Sequence, residues 1–238
     1  MLCDRLCLAI EVLKVKALRN GVLCIPERKH QKERSVRMPF IDEEIARMVQ
    51  KERKKEREKE EKQKRLDEDA SIHTEDIAEG IKSGACTIFD KTYLFQKYTI
   101  LEERVSLYLP SEELEIRINE KGAFQSLNME MGFSSNIVLS DIMEEFELLS
   151  VYKDNMEKNL KPSGFHFNWL EEGSLLSGGR QLLYLDFLNV TGLGTVHNSI
   201  WFIMTPYGRM QCTLNYDHED DRYWKHMMRA LMKLIEIK

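Results

Sequence analysis

The sequence predicts an α+β domain in which helices cover an antiparallel sheet of about seven strands, with a long charged helix ahead of it. Three observations point there. Beyond residue 100, short runs alternate apolar with polar side chains at the two-residue period of half-buried strands. Two stretches, one opening near Ser140 and one near Asp217, space their apolar residues at helical period. Residues 51–65 contain no apolar side chain at all, so whatever they form faces water.

Charge divides the 238 residues into three unlike blocks. Lys+Arg against Asp+Glu run 9 to 4 over residues 1–37, 10 to 11 over 38–69, and 16 to 25 over 70–238, a formal −9 for the last block, which also holds all three Trp. Binding to a phosphate backbone rests on neutralising Lys and Arg, so an acidic folded block argues against nucleic acid as a partner. No run approaches the roughly 20 apolar residues that span a bilayer, and Leu6–Ile10 is broken by Glu11, Lys14 and Lys16, so neither a signal peptide nor a membrane span is expected. Five cysteines, with only Cys86 and Cys212 in the third block, suit buried free thiols in a reducing cytoplasm.

Residues 1–37 show no clean period. The string Lys32-Glu33-Arg34-Ser35-Val36-Arg37-Met38 permits a back-translation containing AGGAG just before the Met38 codon, so residues 1–37 are expected to be a leader ahead of a start at Met38, the alternative being a basic disordered arm. From Met38 the pattern changes. Pro39, then Asp42, Glu43 and Glu44, and apolar Ile41, Ile45, Met48 and Val49 open a helix. Glu58/Lys62, Glu60/Lys64 and Glu61/Arg65 are acid-before-base pairs at i, i+4, each contributing about 0.2–0.5 kcal/mol, enough to continue it in water to residue 69. Heptads are absent, so a solvated spacer is the plain expectation and partner docking through Ile41, Ile45, Met48 and Val49 the functional one. Residues 70–84 read as a polar connection with one short helix around Thr74–Ile81, and the folded domain is expected over 85–238.

Within it, Val105–Leu109, Leu114–Ile118 and Phe124–Met131 alternate as strands, and Asp141 with Glu144 resembles a capping pair for a helix running through Ile142, Phe146, Leu149, Met156 and Leu160. Phe165, Phe167 and Trp169 make a strand with one wet face. Gly173, Ser174, Ser177, Gly178 and Gly179 read as a loose turn leading into Leu182–Val190, Ser199–Thr205 and Met210–Tyr216, three consecutive antiparallel strands. Asp217–Asp221 then starts a last helix carrying Trp224, Met227, Met228, Leu231 and Ile235.

Few strings carry chemistry. Leu176-Ser177-Gly178-Gly179-Arg180-Gln181 resembles the signature loop of ABC-type ATPases, but the phosphate-cradling loop such a site requires is absent. His218, Glu219, Asp220, Asp221 and His226 offer metal ligands, yet His218 precedes the helix and His226 lies about two turns along it, which strains any common centre. No metal and no cofactor are therefore expected. Thr195-Val196-His197-Asn198 is the one polar patch in the apolar hairpin. His197 and Asn198 either close the strand entry by hydrogen bonds to the backbone or line a partner-binding rim with Tyr207.

The strand V-S-L-Y-L-P (Val105–Pro110), L-Y-L-D-F (Leu183–Phe187), H-N-S-I-W-F (His197–Phe202), G-R-M-Q-C-T-L-N-Y (Gly208–Tyr216) and the final helix with Trp224 resemble the PsbP-like family, whose fold the photosystem II extrinsic subunit and the Ran nucleotide-release factor share. The resemblance covers residues 85–238 and implies an α/β/α sandwich around the antiparallel sheet, used in most relatives as a binding module and in some bacterial ones as a chaperone of secreted effectors. The expected function is a non-enzymatic, cytosolic protein-interaction module, an accessory or chaperone of another protein. A competing expectation is a small hydrolase-like enzyme with a pocket around His197, His166 and Asp186. Intact mass of the protein purified from its native host checks the leader expectation: a species beginning at Met38 is expected, and one beginning at Met1 ends the idea.

Overall fold

The computed structural model describes residues 41–143, 149–192 and 194–238, with the side chains of 41–46, 49, 61, 62, 65–70 and 163 left aside. The leader or arm expected over 1–37 and the start of the charged helix at 38–40 lie outside the described residues. The charged helix itself, α1, runs Ile41–Ala70 over 30 residues. At 1.5 Å per residue that is about 45 Å of rod. Its described side chains are exposed, and a Lys54–Glu58 pair at 3.9 Å is one of the surface ion pairs that salt screens.

Among the described residues, the other helices and the strands form a second unit, whose described part starts at Thr74, not near Ala85. Helix α2 (Thr74–Ser83) carries Glu75 and Asp76 in its first turn and Lys82 in its last, matching the helix dipole. Its Ile77 and Ile81 lie four residues apart on one face and are both buried. That face, within what the sequence suggests is a connection over 70–84, makes α2 part of the fold.

Two antiparallel sheets follow. Strands β1 (Ala85–Ile88), β2 (Lys91–Ile100) and β3 (Val105–Pro110) pair in order and are joined at the far side of β3 by β11 (Glu236–Ile237). The larger sheet contains β4 (Glu115–Glu120), β5 (Ala123–Asn128), β6 (Phe133–Ser140), β7 (Phe167–Ser177), β8 (Arg180–Thr191), β9 (Gly194–Thr205) and β10 (Gly208–Asp217), in the order β4-β5-β6-β10-β9-β8-β7. The seven-stranded antiparallel sheet matches the sequence expectation. The separate four-stranded sheet is additional to it.

Helix α3 (Leu149–Leu160) covers one face of the large sheet, where Met156 and Leu160 pack with Leu185, Phe187, Ile200 and Phe202. Helix α4 (Asp221–Lys233), entered through a short 3-10 turn at His218–Asp220, covers the other. The long helix predicted from Asp141 does not start there, and its Glu144 and Phe146 lie outside the described residues. Residues 141–143 are not helical, because the Arg209 N–H donates to the Ile142 carbonyl and the chain continues beside β10 past Ser140, which leaves no helix start at Asp141. The expected loose turn around Gly173 is likewise β strand. Only Gly178 and Gly179 turn the chain, with φ of +56° and +77°, the left-handed pair that a two-residue hairpin loop requires. Among the described residues, Cys86 and Cys212 are free and buried, and burial pushes Cys212 up to about 12.

Gly208, opposite Thr205 at the start of β10, has φ of +123°, and a Cβ there would lie 1.9 Å from the Ser140 carbonyl oxygen. Gly208→Ala is therefore expected to cost roughly 3 kcal/mol or more, since backbone has to move. Gly179→Ala, with nothing within 4 Å of its Cβ, is expected to lose only about 1–2 kcal/mol to the left-handed φ. Urea unfolding of the two variants measures the difference.

Candidate functional site

Hairpin register determines which side chains meet under α4. Leu188, His197 and Tyr216 stand side by side on β8, β9 and β10, and Asp186, Ser199 and Leu214 form the next row. Alternation then places His197, Ser199 and Trp201 on one face of β9. Polar side chains thus point into the layer between sheet and helix, where they have to find partners or bear a desolvation cost.

The first group lies at the start of α4. His197 is buried, 5% exposed as a residue, and its ring stacks on Tyr216 with centroids 4.6 Å apart. Its Nδ1 lies 2.8 Å from Asp221 Oδ1, a close contact whose angles fall outside hydrogen-bond geometry. Tyr216 OH donates to the same Asp221 oxygen at 2.9 Å. His218, in the 3-10 turn, completes the group: donor atoms of His197, His218 and Asp221 all lie within 4.8 Å of one another. Burial opposes ionisation of Asp221, but the adjacent His197, the Tyr216 hydroxyl and the more distant His218 outweigh it and hold the carboxyl below its ordinary value. Burial, with the Asp221 charge adding to it, raises the Tyr216 phenol.

The second group lies about 12 Å further along α4, at Arg229. Arg229 donates to Asp186 Oδ2 at 2.7 Å and to Glu171 Oε2 at 2.9 Å, with its guanidinium 3.9 Å from the Tyr184 ring centroid. Ser199 Oγ donates to Asp186 Oδ1 at 2.6 Å, Trp201 Nε1 to Ser199 Oγ at 2.7 Å, and Tyr184 OH to Glu171 Oε1 at 2.7 Å. A bulge in β7 makes this possible. Trp169 pairs with Phe187 and Glu171 with Asp186, so Leu170 is the extra residue and the strand's facing reverses there. Phe167 and Trp169 therefore pack with Phe187 beneath α3, while Glu171 is turned toward Arg229. Gly173 leaves room for Tyr184, whose hydroxyl would meet any Cβ there at 2.7 Å. Burial works against the Arg229 charge, yet the two carboxylates more than compensate and raise its pKa. Glu171, although burial opposes its ionisation, is held low by Tyr184 and Arg229.

These positions re-sort the residues singled out from sequence. Asn198 is buried and donates to the Val196 carbonyl at 3.2 Å, the local backbone closure anticipated for it. Tyr207 sits in the β9–β10 turn beneath the Arg104 guanidinium, 4.9 Å from its ring centroid. From Asn198 to Thr205 is roughly 23 Å of strand, so His197 and Asn198 stand at the opposite end of β9 from Tyr207 and the three do not line one rim. Met48 is exposed on α1, and the side chains of Ile41, Ile45 and Val49 lie outside the described ones. The suggested pocket of His197, His166 and Asp186 does not assemble among the described residues: His166 is exposed ahead of β7, and Asp186 is engaged by Ser199 and Arg229. His226, set against Phe89, is separate from His218 and Asp221, whose third neighbour is instead His197 from β9. Sequence reasoning missed that grouping, although counting back from a two-residue turn at Pro206-Tyr207 places His197 opposite Tyr216, two residues before the 3-10 turn begins at His218. The open depression beside Asp154, Glu157, Lys158, Lys161 and Pro162 belongs to the exposed side of α3 and the turn after it.

No family model and no curated protein matches the sequence. Solved structures do. Cyanobacterial PsbP (CyanoP) from Synechocystis sp. PCC 6803 matches with a TM-score of 0.50 and 11% identity, over 65% of this chain and 98% of that one. The immunity protein TplEi of the type VI secretion system of Pseudomonas aeruginosa matches with a TM-score of 0.38 and 12% identity, over 55% of this chain and 47% of that one. The fold is PsbP-like, a likeness carried by the first of these alone, and at such identities it speaks for the scaffold only.

Arg229→Met leaves Asp186 buried with Ser199 as its remaining donor. A loss of roughly 3–5 kcal/mol in urea unfolding is expected, and Asp186→Asn in the same chain is expected to recover part of it.

Proposed function

We propose that this chain is a non-enzymatic protein-binding module, an accessory or chaperone of another protein, that receives an extended segment of its partner along the outer edge of β7. One observation carries the reading: β7 is an 11-residue strand at the end of the sheet order, and among the described residues no strand pairs with its outer side. An unpaired edge of that length offers a row of N–H and C=O groups to an incoming strand.

The side chains along that edge support it. Leu170 at the bulge and Leu176 near the turn are exposed, Leu176 at 71%, while Glu172 between them is held by Lys153 at 2.9 Å. An incoming strand thus meets two apolar anchors and few free charges. The PsbP-like scaffold agrees with a binding role in kind. Two buried free thiols agree with a reducing, cytoplasmic setting, and the apolar start of α1 around Ile41, Ile45, Met48 and Val49 is a second contact for the same partner.

Once a partner has been co-purified from the native host, amide hydrogen exchange of the complex tests the edge. Slowed exchange across residues 167–177, and loss of that protection together with binding in the Leu170→Lys, Leu176→Lys double variant, are expected. Unchanged exchange in β7 with full binding by the double variant sinks the reading. A chain lacking residues 38–66 that retains the whole partner list removes α1 from it.

A further inference from the structure

The group at the start of α4 holds more than an ion pair needs. His197 comes from β9, His218 from the 3-10 turn and Asp221 from the first turn of α4, and their donor atoms fall within 4.8 Å of one another. Ligands bound at about 2.0–2.2 Å to one centre stand about 3.4 Å apart in tetrahedral arrangement, so closure from separations of up to 4.8 Å takes shifts of at most about 0.8 Å per ligand, within reach of side-chain rotation. Independently, the Nδ1 atoms of His197 and His218 are both buried and make no hydrogen bond among the described residues. Buried polar atoms are nearly always satisfied, and here the His197 Nδ1 has only the poorly aligned Asp221 oxygen at 2.8 Å while the His218 Nδ1 has no hydrogen-bond partner, which leaves imidazole lone pairs beside one carboxylate free to ligate an ion.

We propose that His197, His218 and Asp221 bind one divalent transition-metal ion, Zn²⁺ by preference, with a fourth position left for water or a donor from a partner. Two imidazoles and a carboxylate suit Zn²⁺ and its first-row neighbours, whereas Mg²⁺ and Ca²⁺ favour all-oxygen sets. The supports expected of such a centre are present. Tyr216 OH donates to Asp221 Oδ1 and its ring stacks on His197, which fixes the orientation of two ligands from outside the donor set. The ion ties β9 to the start of α4 and is independent of the β7 edge. His226, about two turns along α4, is out of reach of His218 and Asp221. The third ligand arrives across the hairpin.

The test uses the full chain, stripped with chelator and titrated with Zn²⁺ by calorimetry and with Co²⁺ by absorption spectroscopy. One equivalent is expected to bind, and Co²⁺ is expected to show visible d–d bands without a thiolate charge-transfer band, which separates this site from the cysteines. Zn²⁺ is expected to raise the melting temperature. His218→Ala and Asp221→Asn are each expected to weaken binding at least about 10- to 100-fold, the scale on which even outer-shell partners act. Asn at 221 can still accept from Tyr216, and His218→Gln stands in if the alanine variant does not fold. Absence of stoichiometric uptake, a thiolate band, or wild-type affinity in folded His218 and Asp221 variants overturns the proposal.

Discussion

Helix α4 is buried between two sheets, and most of the structure answers to that constraint. Trp224 is inaccessible to solvent, stacked 4.9 Å from Phe133 and 5.7 Å from Tyr216 of the large sheet, and edge-to-face with Tyr93 of the small one at 5.6 Å. A helix covered on one side needs an apolar stripe, whereas one covered on two needs apolar residues most of the way round. Tyr223, Trp224, Met227, Met228, Ala230, Leu231 and Met232 are accordingly all buried. Helix α2 takes part in the same enclosure through Ile77 and Ile81, and Lys233 reaches Glu75 at 2.6 Å on its rim.

The same enclosure accounts for the polar groups. A cation on a helix this deeply set has few routes to water, so Arg229 lies against Asp186 and Glu171, and Asp186 is further bonded by Ser199. Replacing such a network with well-packed apolar residues is often neutral or stabilising, while removing one member leaves a buried charge exposed to the full desolvation cost. The bulge at Leu170 belongs to this arrangement. One inserted residue lets β7 bring aromatics under α3 at one end and a carboxylate to α4 at the other.

Much of this architecture is legible in the chain. Alternation in Val105–Leu109 and Leu183–Phe187, helical spacing in Trp224–Leu231, and the charge run in α1 each report a local period that follows from backbone geometry. The misses share a cause. Asp141 and Glu144 satisfy a capping pattern, yet the extended path beyond Ser140 gains a ladder bond from Arg209 that no local pattern records. Ser174 and Ser177 look like turn residues but belong to a strand, because pairing with Leu183 and Arg180 outweighs their local preference.

By itself the sequence determined the strand and helix periods, the acidic folded block, the solvated helix and the two buried thiols, since each depends on neighbours a few residues apart. Only the tertiary structure decided the four-stranded sheet closed by Glu236–Ile237, the inclusion of α2 in the folded unit, and the meeting of His197 with His218 and Asp221. These rest on contacts between residues far apart along the chain. Such contacts form only after sheet register and the burial of α4 have set which distant side chains share a layer, and no local period encodes that outcome.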